Sequence, residues 1–89
     1  MKIVRLNGRY RQYRDHRHTV ALRFDSWTDQ AARIEILCRN RLGSGGWVPS
    51  SHWYSYYGHR PDTNSPRPYW ITFRHEPDLT LILLSANTG

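Results

Sequence analysis

Apolar positions alternate along one stretch of this chain, run almost together in a second and recur every three to four residues in a third. Val20, Leu22 and Phe24 alternate with Ala21 and Arg23, the pattern of a half-buried strand over 19–24. Tyr69–Arg74, rich in aromatic and β-branched side chains, reads as a second strand. Between them Trp27, Ala31, Ile34, Leu37, Cys38 and Leu42 fall on one stripe of helical spacing, which predicts a helix over 27–42. Ser26 stands at its N-cap with Asp29 three positions on, the spacing of a capping box. Arg39 and Arg41 occupy the last turn, where positive charge is favoured, and Gly43 is placed for a left-handed cap.

The flanking segments are read by turn chemistry. Lys2–Leu6 and Arg9–Tyr13 are joined by Asn7-Gly8, a type I′ hairpin dipeptide, although that register would set Leu6 opposite Arg9 and Val4 opposite Arg11 and mix apolar with charged side chains. Trp47–Tyr57 reads as strand or ordered loop, with Pro49 arguing against a central strand there. Residues 58–68 form a loop, and Pro77 turns the chain after Tyr69–Arg74. Leu79–Leu84 then returns, apolar on both faces from Leu81, as a central strand would be. The expectation is one α+β domain over residues 1–89. A single helix would pack on a mostly antiparallel sheet of about four to five strands. Val20, Leu22, Phe24, Ile71, Phe73, Leu81 and Leu83 would meet Trp27, Ile34, Leu37 and Cys38.

Composition narrows the function classes. The lone cysteine, Cys38, excludes an intrachain disulfide framework and a four-cysteine zinc site. The longest apolar run, Leu81–Leu84, falls far short of the roughly 20 residues a membrane span needs, and Met1–Arg5 holds no signal-peptide core. A soluble, cytoplasmic domain with no membrane partner is expected. The net charge is +6, and residues 1–24 account for all of it, with seven basic residues against Asp15 alone; the rest of the chain balances. Charge gathered in one segment is the footprint of a surface that meets an anion; a solvated face produced by arginine-rich coding is the plainer alternative.

Two segments carry candidate chemistry. In Arg9–His18, Arg9, Arg11, Arg14 and Arg17 offer planar phosphate forks, and Tyr10 and Tyr13 offer stacking faces. If the segment is extended, Arg9, Arg11 and Tyr13 point one way. Between Gly45 and Gly58 lie two tryptophans and three tyrosines. Of these, Trp47, Trp53, Tyr54 and Tyr56 are candidates to stack on bases, with Arg60 and Arg67 beside them for phosphate. Such rings equally serve to fill a small core or to anchor a homo-oligomeric interface.

His16, His18, His52, His59 and His75 match no zinc spacing, Cys38 sits on the apolar stripe, and no cofactor is expected. There is no Ser–His–Asp order, Walker loop or Gly-x-Gly-x-x-Gly. His16 or His18 as general acid or base in a metal-independent ribonuclease is the enzyme alternative. A short basic chain with a compact α+β core and surplus aromatics is similar in style to small bacteriophage accessory proteins, a likeness that implies host-defence evasion or takeover. The leading expectation is a non-catalytic binding protein for an anionic nucleotide-type ligand, either a small nucleotide or a nucleic acid. A homo-oligomeric interaction module is the runner-up.

Overall fold

A computed structural model describes residues 1–88. The described residues form four strands and three helices: β1 (Lys2–Arg5), α1 (Arg11–His16), β2 (Val20–Phe24), α2 (Asp29–Leu42), β3 (Trp53–Tyr57), β4 (Tyr69–Phe73) and α3 (Glu76–Thr88). The strands make one antiparallel sheet in the order β1-β2-β4-β3. This is the expected α+β architecture, with three helices instead of one.

The register sorts side chains onto two faces. Val20, Leu22 and Phe24 stand opposite Phe73, Ile71 and Tyr69, which in turn meet Trp53, Ser55 and Tyr57. On this face α2 and α3 pack side by side, and Val20, Leu22, Phe24, Ile71, Phe73 and Trp53 close over Ala31, Ile34, Cys38, Leu79 and Ile82. Every one of these is at most 4% exposed, so the core is a single layer between sheet and helix pair. Arg23, Thr72, Trp70, Tyr54 and Tyr56 alternate onto the opposite face.

Several expectations are corrected. Lys2–Leu6 does not pair with Arg9–Tyr13; β1 pairs with β2, Ile3 with Leu22 and Val4 with Ala21, which matches apolar with apolar. Asn7 instead makes a turn, its carbonyl accepting from the Tyr10 amide at 2.9 Å and its side chain from the Arg9 amide at 3.0 Å. Residues 11–16 therefore coil into α1, and the alternating directions of an extended Arg9–Tyr13 are lost.

Leu79–Leu84 is helical and is no central strand. Leu79 and Ile82 are buried three residues apart, whereas Leu81 and Leu84 are 42% and 59% exposed. β2 and β4 hold the sheet centre. A short apolar run cannot be assigned to strand or helix by periodicity alone; the acidic first turn (Glu76, Asp78) and Pro77, suited to the start of a helix, carry the helical signal.

The N-cap of α2 is Thr28, not Ser26: its side chain accepts from the Ala31 amide at 3.2 Å. Trp27 consequently lies ahead of the helix, 45% exposed, with its ring edge-on to Tyr69. Gly43 does take a positive φ of 81°, but with ψ at −159° it lies outside the left-handed helical region.

Candidate functional site

The face of the sheet turned away from α2 and α3 carries a row of rings. Tyr56, Trp70 and Arg23 are direct neighbours across β3, β4 and β2. The Tyr56 and Trp70 rings are parallel within 6°, 6.3 Å between centroids, and the Arg23 guanidinium stands 5.9 Å from the Trp70 ring. Tyr54, two residues back on β3, stacks on Tyr56 at 5.2 Å. Lys2 follows Arg23 in the same register. A row of two rings and two cations thus crosses the sheet, built by side-chain alternation alone.

Helix α1 bridges this face. The Tyr56 hydroxyl donates to Gln12 Oε1 at 3.4 Å, and Tyr10, at the N-cap of α1, sets its ring 6.0 Å from Trp70. Burial, together with the neighbouring Tyr54 and Tyr10 hydroxyls, pushes the Tyr56 phenol up to about 12, so Tyr56 acts as a neutral donor. The far end of α1 is fixed by Arg17, whose left-handed backbone (φ 60°) turns the chain into His18. That imidazole is fully buried. Its Nε2 donates to the Ser51 carbonyl at 2.8 Å, leaving Nδ1 to accept from Thr72 Oγ1 at 2.7 Å.

Between α1, the end of the ring row and the 58–68 loop lies a cleft of about 560 Å³. Tyr56 and Trp70 line it together with Arg11, Gln12, Arg23, His59, Pro61 and Pro68. Gly58 permits this geometry: a Cβ there would come within 2.6 Å of the Trp70 indole nitrogen. Both cations have carboxylate partners, Arg11 with Asp15 at 3.3 Å and Arg23 with Asp25 at 2.9 Å. Arg11, Asp15 and Asp25 are exposed and Arg23 is half-buried; each pair has its carboxylate in solvent, which screens it and leaves the guanidinium groups able to exchange partners.

The residues expected from the sequence are dispersed. Arg11, Tyr10, Tyr54 and Tyr56 gather at or beside the cleft. Arg9, Arg14 and Arg17 are exposed outside it, as are Tyr13 and Arg60. Arg67 donates to the Gly58 carbonyl at 3.2 Å and covers Tyr57, on the loop that bounds the cleft. Trp47 is 79% exposed, under Arg39 of α2.

Trp53 is corrected outright: it is 0% exposed, donates to the Gly43 carbonyl and belongs to the core. Of the two histidines named as acid–base candidates, His18 has both ring nitrogens engaged and no exposed surface, whereas His16 is half-buried. Trp70 and Arg23 were not anticipated. Their signal was present: if Ile71, Phe73, Leu22 and Phe24 face the core, alternation sends Trp70 and Arg23 to the other side together.

Among the described residues no three His, Cys, Asp or Glu side chains cluster as a metal site requires, and no helix is long and apolar enough to cross a membrane. The fold and site define a small α+β domain with an aromatic, cation-edged cleft. Comparison with protein families, with curated proteins and with solved structures gives no match.

Proposed function

We propose that this chain is a non-catalytic binding module for an anionic nucleotide-type ligand, held in the cleft beside Tyr56 and Trp70. The observation that carries the reading is the row Tyr56–Trp70–Arg23, which sets flat π surfaces next to a guanidinium inside one cavity. Base–aromatic stacking is worth about 1–3 kcal/mol per base, and arginine binds phosphate oxygens through charge-assisted, bidentate hydrogen bonds. Arg11 lines the same cleft and is the second phosphate ligand. The basic surface formed by Arg9, Arg14 and Arg17 raises the local concentration of an anion approaching the site.

Calorimetric titration with ribonucleotides and with single-stranded RNA tests the reading. Binding of either class that weakens on replacing Arg23 by Gln supports it. Absence of both at low salt, where phosphate contacts are strongest, removes it. A second reading rests on Trp47, whose exposed ring lies on the helix side of the molecule, away from the cleft. An exposed tryptophan is a common anchor of protein interfaces, and here it would serve a homo-oligomer. Light scattering that shifts to monomer in Trp47→Ser, with nucleotide binding intact, would favour that second role.

A further inference from the structure

We infer that the cleft takes a single nucleotide, free or at the end of a strand, and does not track a continuous nucleic-acid strand. The inference rests on the nucleotide reading above and fixes its ligand class. Three features lead to it. First, the ring row is roofed: Gln12 is bonded to Tyr56 and Tyr10 lies against Trp70, so a strand running along Tyr54 and Tyr56 would have to displace α1. His18 anchors the end of that helix from within the sheet. Second, the cavity of about 560 Å³ falls in the size range of sites for one small ligand. A non-specific single-strand site holds roughly 4–16 nucleotides per domain. Third, the cations at the cleft are local. Arg11 and Arg23 face it, whereas Arg9, Arg14 and Arg17 do not line it, so phosphates beyond the first nucleotide would meet no continuous basic groove.

The carboxylates give the site a recognisable signature. A phosphate entering the cleft takes the place of Asp25 on Arg23. Asp25 is 96% exposed, so Asp25→Asn removes a competitor at little cost to the fold. Replacing a carboxylate that merely stabilised Arg23 would leave affinity unchanged or lower it.

Calorimetric titration of the full chain with the four ribonucleoside triphosphates, and with homopolymeric RNAs of about two, four and twelve nucleotides, reads the ligand class. At least one triphosphate is expected to bind within about three-fold of the matching oligomers at every length. Asp25→Asn should tighten that binding by roughly three-fold or more. Trp70→Leu should weaken it by roughly ten-fold, the loss of one stacking partner. Circular dichroism checks that Trp70→Leu is folded; if it is not, Asp25→Asn and the length series decide.

Affinity that climbs ten-fold or more from two to twelve nucleotides overturns the inference. So does binding of the twelve-mer without any triphosphate. Either result leaves the nucleotide reading standing, with Arg14 and Arg17 as the tracking surface. Failure of every ligand to bind overturns both.

Discussion

Glu35 lies 9% exposed on α2, where its carboxylate accepts from Arg39 at 2.9 Å, Ser55 Oγ at 3.1 Å and the Tyr69 hydroxyl at 3.1 Å. It ties the helix to β3 and β4 from inside the core layer. Removing it in Glu35→Ala strands the buried Tyr69 hydroxyl, while Ser55 keeps the Gly46 carbonyl as an acceptor at 3.4 Å, and should cost about 1–3 kcal/mol, read from urea denaturation. Arg39→Ala should cost under about 1 kcal/mol in the same assay, because its half of the pair is 41% exposed and screened by solvent. The position was legible, since Glu35 is four residues after Ala31 and three before Cys38, on the apolar stripe itself. Its partners were not, because Ser55 and Tyr69 come from distant strands. Trp53 follows the same logic in reverse. Its composition suits a stacking platform, but Gly46, at φ 82°, lets the backbone approach so closely that a Cβ would sit 2.6 Å from the indole Cη2. The ring is thereby sealed into the core.

Among the elements, α2 and α3 each test how a helix is started and which side it buries. The Thr28 cap predicts that Thr28→Ala lowers stability by about 1 kcal/mol, whereas Ser26→Ala, the candidate that the capping-box spacing favoured, leaves it within about 0.5 kcal/mol. Thermal or chemical denaturation of the two variants separates them. For α3, burial at helical spacing predicts that Ile82→Ala costs about 2–4 kcal/mol and Leu81→Ala under about 1 kcal/mol. A central strand buried on both faces would make the two losses similar, so the pair of denaturation curves discriminates helix from strand directly. The reading of 79–84 as a strand failed because a run of leucines fits either period. What excludes the strand is tertiary: β4 already has β2 and β3 on its two edges, and the open place in the core lies beside α2.

At the scale of the whole molecule, His18 joins the α1 side, the 48–52 segment and β4 at one buried point, and this makes stability depend on pH. Burial lowers its pKa below the ordinary 6.5; the Ser51 hydrogen bond opposes that, and the charges of Arg74 and His16 add to it. The unfolded chain therefore binds more protons just below about pH 6.5, so this contribution is complete above that value and is lost as pH falls through the lowered folded pKa. Melting temperature should drop between about pH 7.5 and about pH 5, and the drop should shrink in His18→Gln. A melting temperature unchanged over that range would remove His18 as the buried anchor. The sequence by itself determined the α+β class, a helix read over 27–42, strands read over 19–24 and 69–74, each within two residues of the observed bounds, and the concentration of positive charge before residue 25. Those properties rest on local periodicity and composition, which any window of a few turns contains. Tertiary structure decided the partner of β1, the helical state of 79–84, the burial of Trp53 and His18, and the meeting of Tyr56, Trp70 and Arg23. Local pattern hints at some of these, the helix start at 76–78 and the shared face of Trp70 and Arg23, but which strands share an edge and what the helices cover are set by contacts between residues far apart in the chain.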